Sequence, residues 1–189
     1  MSFVAALTIV VHVSNLAAVP DPVIRAAQSE VAALFLDAGV EIRWVDDVVP
    51  GGARVEARLI LVPHASGAHR DAGGKAIFGA ASRTPGGMGT AWVFYQRITQ
   101  HAERYSVPAS RLLACAIAHE LGHVIQDTPS HSASGVMRAT WRMRDYRQAA
   151  LGRLRFTEID SAAFALRLRG DAVERGRGTD DQAAAVNRR

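Results

Sequence analysis

Apolar positions switch between two periods along the first third of the chain, and the switches predict the elements. Leu7 to Val13 is a β-branched run ended by Ser14 and Asn15, the pattern of a strand. After Pro20-Asp21-Pro22 the spacing changes. Val23, Ala27, Val31, Leu34 and Phe35 recur every three or four residues, which puts them on one face of a helix. Gly39 follows, where a left-handed closing residue is wanted. Val40 to Val45 then alternates again, with Val40, Ile42 and Trp44 set against Glu41 and Arg43. Pro50-Gly51-Gly52 is a turn, and the compact run Ala57 to Val62 suits a buried central strand.

Residues 64 to 90 are rich in Gly, Ala, Ser and His, and predict a long surface excursion with at most one short strand, around Ala76 to Ala81. Thr90 to Tyr95 reads as a further strand and Gln96 to Arg104 as a short helix. Ser106 and Pro108 then open a long apolar helix through Leu112, Leu113, Ala116, Ile117, Leu121 and Val124, with Ser106 as its expected cap. Asp127-Thr128-Pro129-Ser130 breaks that helix, and a loop runs to about Trp141. Thr157 to Leu168 forms a last helix capped by Thr157, and the polar tail from Gly170 is expected to be disordered. The order predicts an α+β fold: a twisted mixed sheet of four to five strands packed on two main helices, with a small C-terminal region ending in a helix. One domain is expected over residues 1–169, divided into an N-terminal region (residues 1–126) and a C-terminal region (residues 127–169), followed by the tail 170–189.

Composition narrows the class. The chain has 189 residues, 49% of them hydrophobic and 21% charged, the balance of a globular domain with a sizeable core. Its net charge of +4 comes almost wholly from arginine, since Lys75 is the only lysine. Arg142, Arg144 and Arg147 form a basic stretch that reads as a solvated face, and no nucleic-acid recognition motif accompanies it, so no nucleic-acid partner is expected. Cys115 is the single cysteine, which excludes an intramolecular disulfide and reads as a small buried hydrophobe. No run is long enough for a membrane span, and the first residues lack the pattern of a signal peptide, so a cytoplasmic location is the default expectation, or a secreted one for a trimmed chain.

The chemistry sits in the long helix, in His119-Glu120-Leu121-Gly122-His123. Residues four apart lie one turn above each other, so both imidazoles can address one ion, while Glu120 lies about 100° round the axis, where a carboxylate reaches a metal-held water. Zinc wants a third protein ligand and an open position. His131, returning after the Asp127-Thr128-Pro129 bend, is favoured for it, and Asp127 is the rival. His12, His64, His69 and His101 have no comparable partners and read as surface or strand histidines.

These residues resemble the metzincin clan of zinc peptidases, whose motif is His-Glu-x-x-His-x-x-Gly-x-x-His followed by a methionine-containing turn. The likeness covers residues 119 to 137. It implies His119, His123 and His131 as ligands of one catalytic Zn2+, Glu120 as general base, and Met137, in Ser134-Gly135-Val136-Met137, as the methionine beneath the metal. His131-Ser132 matches the third ligand and the serine after it. The chain departs from the pattern in having seven residues between His123 and His131 instead of five, with Gln126 in place of the glycine. Only five residues then separate His131 from Met137. The resemblance is to an outlying bacterial group.

The resemblance further implies hydrolysis of a peptide or protein substrate by a metal-activated water, with Glu120 moving the proton to the leaving amine. It also implies an edge strand above the cleft that pairs with extended substrate, assigned to Ala91, Trp92, Val93, Phe94 and Tyr95. Tyr146 is a candidate transition-state stabiliser. The alternatives are a catalytically silent, zinc-stabilised binding domain for peptide or protein, and a zinc hydrolase of non-peptide amides.

Overall fold

The structure is a computed structural model that describes residues 7–45, 55–65, 78–83 and 88–170. The turn expected at Pro50-Gly51-Gly52, His69, and the tail beyond Gly170 lie outside the described residues. The β-branched and alternating runs form β1 (Leu7–Asn15), β2 (Val40–Val45), β3 (Val55–Val62), β4 (Gly79–Ser82) and β5 (Gly89–Phe94). The helices are α1 (Asp21–Asp37), α2 (Tyr95–Tyr105), α3 (Ala109–Gln126), α4 (Met143–Ala150) and α5 (158–170). The α+β fold expected from the sequence is the one observed.

The strands make one mixed sheet in the order β2-β1-β3-β5-β4. β1 lies parallel to β2 and β3, β3 is parallel to β5, and only β4 runs antiparallel, against β5. Parallel neighbours need a crossover, and α1 supplies it between β1 and β2. Alternate strand residues are buried: Ile9 and Val11, Val40 and Ile42, Ala57, Leu59 and Leu61, Ala91 and Val93. These side chains join those of α1 and α3 in one core. α1 buries Ala27, Val31, Leu34 and Phe35, as its spacing predicts, and Gly39 follows it with φ +81°.

α3 is apolar nearly all round, and from Leu112 to Ala118 every residue is buried. A helix of that kind belongs inside a domain, and its alanines at 114, 116 and 118 let it pack close to its neighbours. His119, Glu120 and His123 therefore sit toward the C-terminal end of the most enclosed element of the fold. Among the described residues no helix is long and apolar enough to cross a membrane.

Two expectations need correction. Ala91 to Phe94 is not an edge: β5 has β3 on one side and β4 on the other, so among the described residues β4 is the edge strand, and Tyr95 begins α2. Ser106 does not cap α3. It ends α2 in a left-handed conformation (φ 52°), and α3 starts after Pro108. The sequence assigns no element to the stretch after Trp141, where α4 buries Asp145, Tyr146 and Ala149 while its arginines face outward; eight residues are too few for the pattern to stand out. The last helix is capped as expected: Thr157 Oγ1 accepts the Asp160 backbone N–H at 3.2 Å, and Asp160 accepts the Thr157 N–H at 2.8 Å.

Candidate metal centre and its cleft

α3 delivers His119 and His123 one turn apart, and the chain leaves it at Asp127, whose left-handed conformation (φ 53°) turns the backbone back toward the helix. His131 then joins the pair. One ring nitrogen from each of the three imidazoles lies within 4.8 Å of the others. The His123 ring stands nearly perpendicular to both partners, at 78° to His119 and 81° to His131, with centroids 4.7 Å away in each case.

The hydrogen bonds on the far side of the rings fix which nitrogen is free. His119 Nδ1 lies 2.8 Å from the Val136 carbonyl oxygen and His123 Nδ1 lies 2.9 Å from that of Thr128. A carbonyl only accepts, so both Nδ1 atoms carry protons and both Nε2 atoms present lone pairs. Those two Nε2 atoms are 3.1 Å apart. Two acceptors at that separation repel unless a cation lies between them, and two nitrogens on one tetrahedral zinc would be ~3.3 Å apart. The residues fit a zinc ion.

Burial tunes the same groups. Desolvation pulls His119 down to about 4, against which the Val136 carbonyl acts, and the neighbouring His123 and His131 add to the fall. His123 and His131 are also lowered by burial. All three are thereby held neutral, the form that binds metal. Glu120 is only 5% exposed, and desolvation pushes its carboxyl up to about 8. It lies against β4: a β-carbon at Gly79 would come within 2.6 Å of Glu120 Cγ and 2.3 Å of the Trp92 carbonyl oxygen. Glycine at that position is what lets the edge strand and the carboxylate approach.

Met137 is fully buried and packs on Gly122 within the motif. Its turn is anchored through Val136, whose carbonyl takes the indole N–H of Trp141 at 3.2 Å besides the His119 ring, and whose own N–H donates to Arg155 O at 2.9 Å. Asp127, the rival third ligand, is paired with Arg167 at 3.1 Å and stands outside the three-histidine group.

The three imidazoles and Glu120 open on a cleft of about 1150 Å³, with β4 along one side and the segment from Arg138 to Trp141 among its other walls. Part of its lining is aromatic. Phe78 meets His101 edge-on at 4.9 Å and Trp141 at 5.3 Å, and Tyr105 stacks on Tyr146 at 3.9 Å. Tyr146 is 4% exposed and hydrogen-bonds through its hydroxyl to His101 Nδ1 at 3.0 Å; burial pushes its phenol up to about 12. Arg138 reaches Asp145 at 3.3 Å.

His101 is thus a cleft residue on α2, which its isolation in the sequence concealed. His64 bonds Gln96 at 2.6 Å, and His12 is buried within β1. Of the strand residues 91–95, none lines the cleft, whereas Gly79 to Ser82 all do. Cys115 is buried, its thiol raised to about 12 by desolvation, and behaves as a packed hydrophobe.

No family model matches the sequence, and no curated protein matches it. Among solved structures, the fold is similar to that of a zinc-dependent peptidase from Methanocorpusculum labreanum, with a TM-score of 0.53 and 16% identity over 82% of this chain and 99% of that one. A chain of the GM1-bound ECX AB5 holotoxin matches more loosely, with a TM-score of 0.40 and 13% identity over 81% of this chain and 74% of that one. What the chain shares with the peptidase is its fold.

Proposed function

We propose that this protein is a zinc-dependent peptidase of metzincin type that hydrolyses peptide bonds with Glu120 as general base. The observation that carries the reading is the convergence of His119, His123 and His131, two of them with Nδ1 committed to backbone carbonyls, next to a buried carboxylate in an open cleft. The fold shared with a zinc-dependent peptidase agrees with it.

Bound by the three imidazoles, zinc would supply a Lewis acid that polarises the scissile carbonyl and acidifies a water. The chain's own residues do the rest. Val136 and Thr128 carbonyls orient two imidazoles through their Nδ1 protons, and Met137 floors the turn that carries the first of those carbonyls. Glu120, with a carboxyl whose affinity for a proton is raised by burial, takes the proton of the attacking water and passes it to the leaving amine. Among the described residues β4 has no strand on its outer side, its residues line the cleft, and an extended peptide can add to it as a further strand. This replaces β5 in that role. Tyr146 is committed to His101 and belongs to the aromatic wall, where apolar substrate side chains would rest.

The test is a peptide-library digest with the zinc-loaded protein, repeated with chelator and with Glu120→Ala. The reading expects cleavage that chelation abolishes, and a Glu120→Ala protein that still binds one zinc while losing turnover. Undiminished cleavage in that variant removes Glu120 from the mechanism. Zinc binding without cleavage of any peptide favours the silent binding domain, and cleavage confined to small non-peptide amides favours the other hydrolase.

A further inference from the structure

We infer that Asp160, on the first turn of α5, is a positioning residue for the third imidazole and acts through Ser132. The inference rests on the three-histidine zinc site proposed above. Asp160 is 2% exposed, and among the described residues no arginine or lysine is ion-paired with it. A carboxylate is costly to bury on those terms, and capping a helix does not require it, since a cap needs only one oxygen.

The two oxygens are spent differently. Oδ2 closes the helix cap, accepting the Thr157 backbone N–H at 2.8 Å and its hydroxyl at 2.7 Å. Oδ1 accepts the hydroxyl of Ser132, the residue next to His131. Ser132 is also held by its backbone, whose N–H donates to the Met137 carbonyl at 2.9 Å. At the other end of the same loop, Val136 N–H donates to Arg155 O at 2.9 Å, and the Val136 carbonyl takes His119. The segment from Arg155 to Asp160 therefore grips the loop at both ends, once beside His131 and once beside the partner of His119.

The need for such a grip follows from the sequence. Seven residues separate His123 from His131, and the last four of them, Asp127 to Ser130, lie beyond the end of α3, so the helix alone cannot place His131. His131 is also the most exposed of the three ligands. A buried anion next to it both fixes the loop and offsets the charge of a dication held by neutral rings.

The experiment separates the link from the cap. Ser132→Ala removes the hydroxyl that reaches Oδ1 and leaves the cap in place; Thr157→Val removes the cap hydroxyl and leaves the link. Zinc affinity, the visible spectrum of the Co2+-substituted protein, and the melting temperature of the metal-free protein are measured for each. Ser132→Ala is expected to weaken zinc by about 10–100-fold and to alter the Co2+ bands, and, because it leaves a buried carboxylate oxygen without its donor, to lower the metal-free melting temperature as well. Thr157→Val should lower the melting temperature with zinc affinity within about twofold of wild type. Ser132→Thr, which keeps the hydroxyl, should restore both affinity and spectrum. Wild-type affinity and spectrum in Ser132→Ala overturn the inference, as does an equal loss of zinc affinity in both variants, which would mark a merely structural role. A wild-type protein that takes up no stoichiometric zinc refutes the metal site itself, a separate outcome read before any variant is compared.

Discussion

Gly122 and Met137 meet without room for a methyl group between them: a β-carbon on residue 122 would lie 2.4 Å from the Met137 sulfur and 3.0 Å from its terminal carbon. Gly122, between His119 and His123, is therefore what allows the segment carrying Met137 to close on α3. In an ordinary helix interior, Gly→Ala stabilises by roughly 1 kcal/mol. Here overpacking of a fully buried contact opposes that gain and costs about 1–3 kcal/mol. Gly122→Ala should come out destabilised or neutral, and weakened in zinc affinity because the turn carrying the His119 partner is displaced. Adding Met137→Ala should return the helix gain, so that the glycine change costs less in the double variant than alone. Denaturant melts of the four proteins decide it; a stabilised Gly122→Ala single variant would contradict the packing.

Glu120 and His119 give the metal-free protein opposite dependences on pH. The Glu120 carboxyl is raised from 4.5 to about 8, so its unfolded form ionises first, and stability is present below about 4.5 and lost as pH climbs toward 8. By pH 7 that loss is on the order of 3 kcal/mol. His119 is lowered from 6.5 to about 4, so the unfolded chain takes up the proton first, and its contribution is intact above about 6.5 and lost as pH falls toward 4. Glu120→Gln should accordingly gain on the wild type between pH 5 and pH 8 in chelator, while keeping the decline below 6.5. Melting curves at pH 4.5, 6.5 and 8 read both limbs, and parallel curves for the two proteins would show that Glu120 is not the buried acid.

Trp141 tests the carbonyl that orients His119. Its indole N–H bonds Val136 O at 3.2 Å, and its ring stands edge-on to the His119 ring at 6.3 Å. Trp141→Phe keeps the aromatic body and removes the donor. The expected cost is about 1 kcal/mol in stability. Zinc affinity should also fall measurably, since the carbonyl that holds His119 loses its second anchor. A variant that loses stability but binds zinc as tightly as wild type would confine Trp141 to packing.

Much of this arrangement is legible in the sequence where short-range rules govern it. The periods at Leu7–Val13 and Val23–Phe35, the glycine after α1 and the Thr157 cap each follow from neighbours a few residues apart, and each is found in the structure. The His119–His123 pair follows from helix geometry alone. What the sequence hides is long-range. β4 and β5 are both short apolar strands, and only the pairing of β5 with β3 decides which of them is the edge. His101, Tyr105 and Phe78 become one aromatic wall through the packing of α2 beside the end of β4, and Asp160 reaches Ser132 across 28 positions. Gly79 carries no motif, and its role appears only when the Glu120 side chain is seen against it.

The edge strand gives a prediction at the level of single backbone groups. Phe94 N–H donates to the Phe78 carbonyl at 2.8 Å, so in the antiparallel pairing of β4 with β5 the residues bonded inward are Phe78, Ala80 and Ser82, opposite Phe94, Trp92 and Thr90. The N–H and C=O groups of Gly79 and Ala81 then point away from β5, to the side that no described strand covers. Ala81→Pro removes one outward donor and leaves the inward ladder unchanged, and proline is tolerated on an edge whose N–H faces away from the sheet. If peptide adds to β4, this variant should raise KM for extended peptides by about 5–10-fold, the worth of one hydrogen bond of roughly 1 kcal/mol, and leave kcat and the melting temperature close to wild type. Ala80→Pro is the contrast: it breaks an inward bond and should cost stability outright. Equal KM values for wild type and Ala81→Pro would mean that substrate does not use this edge, and the aromatic wall and the metal would then have to orient the peptide by themselves.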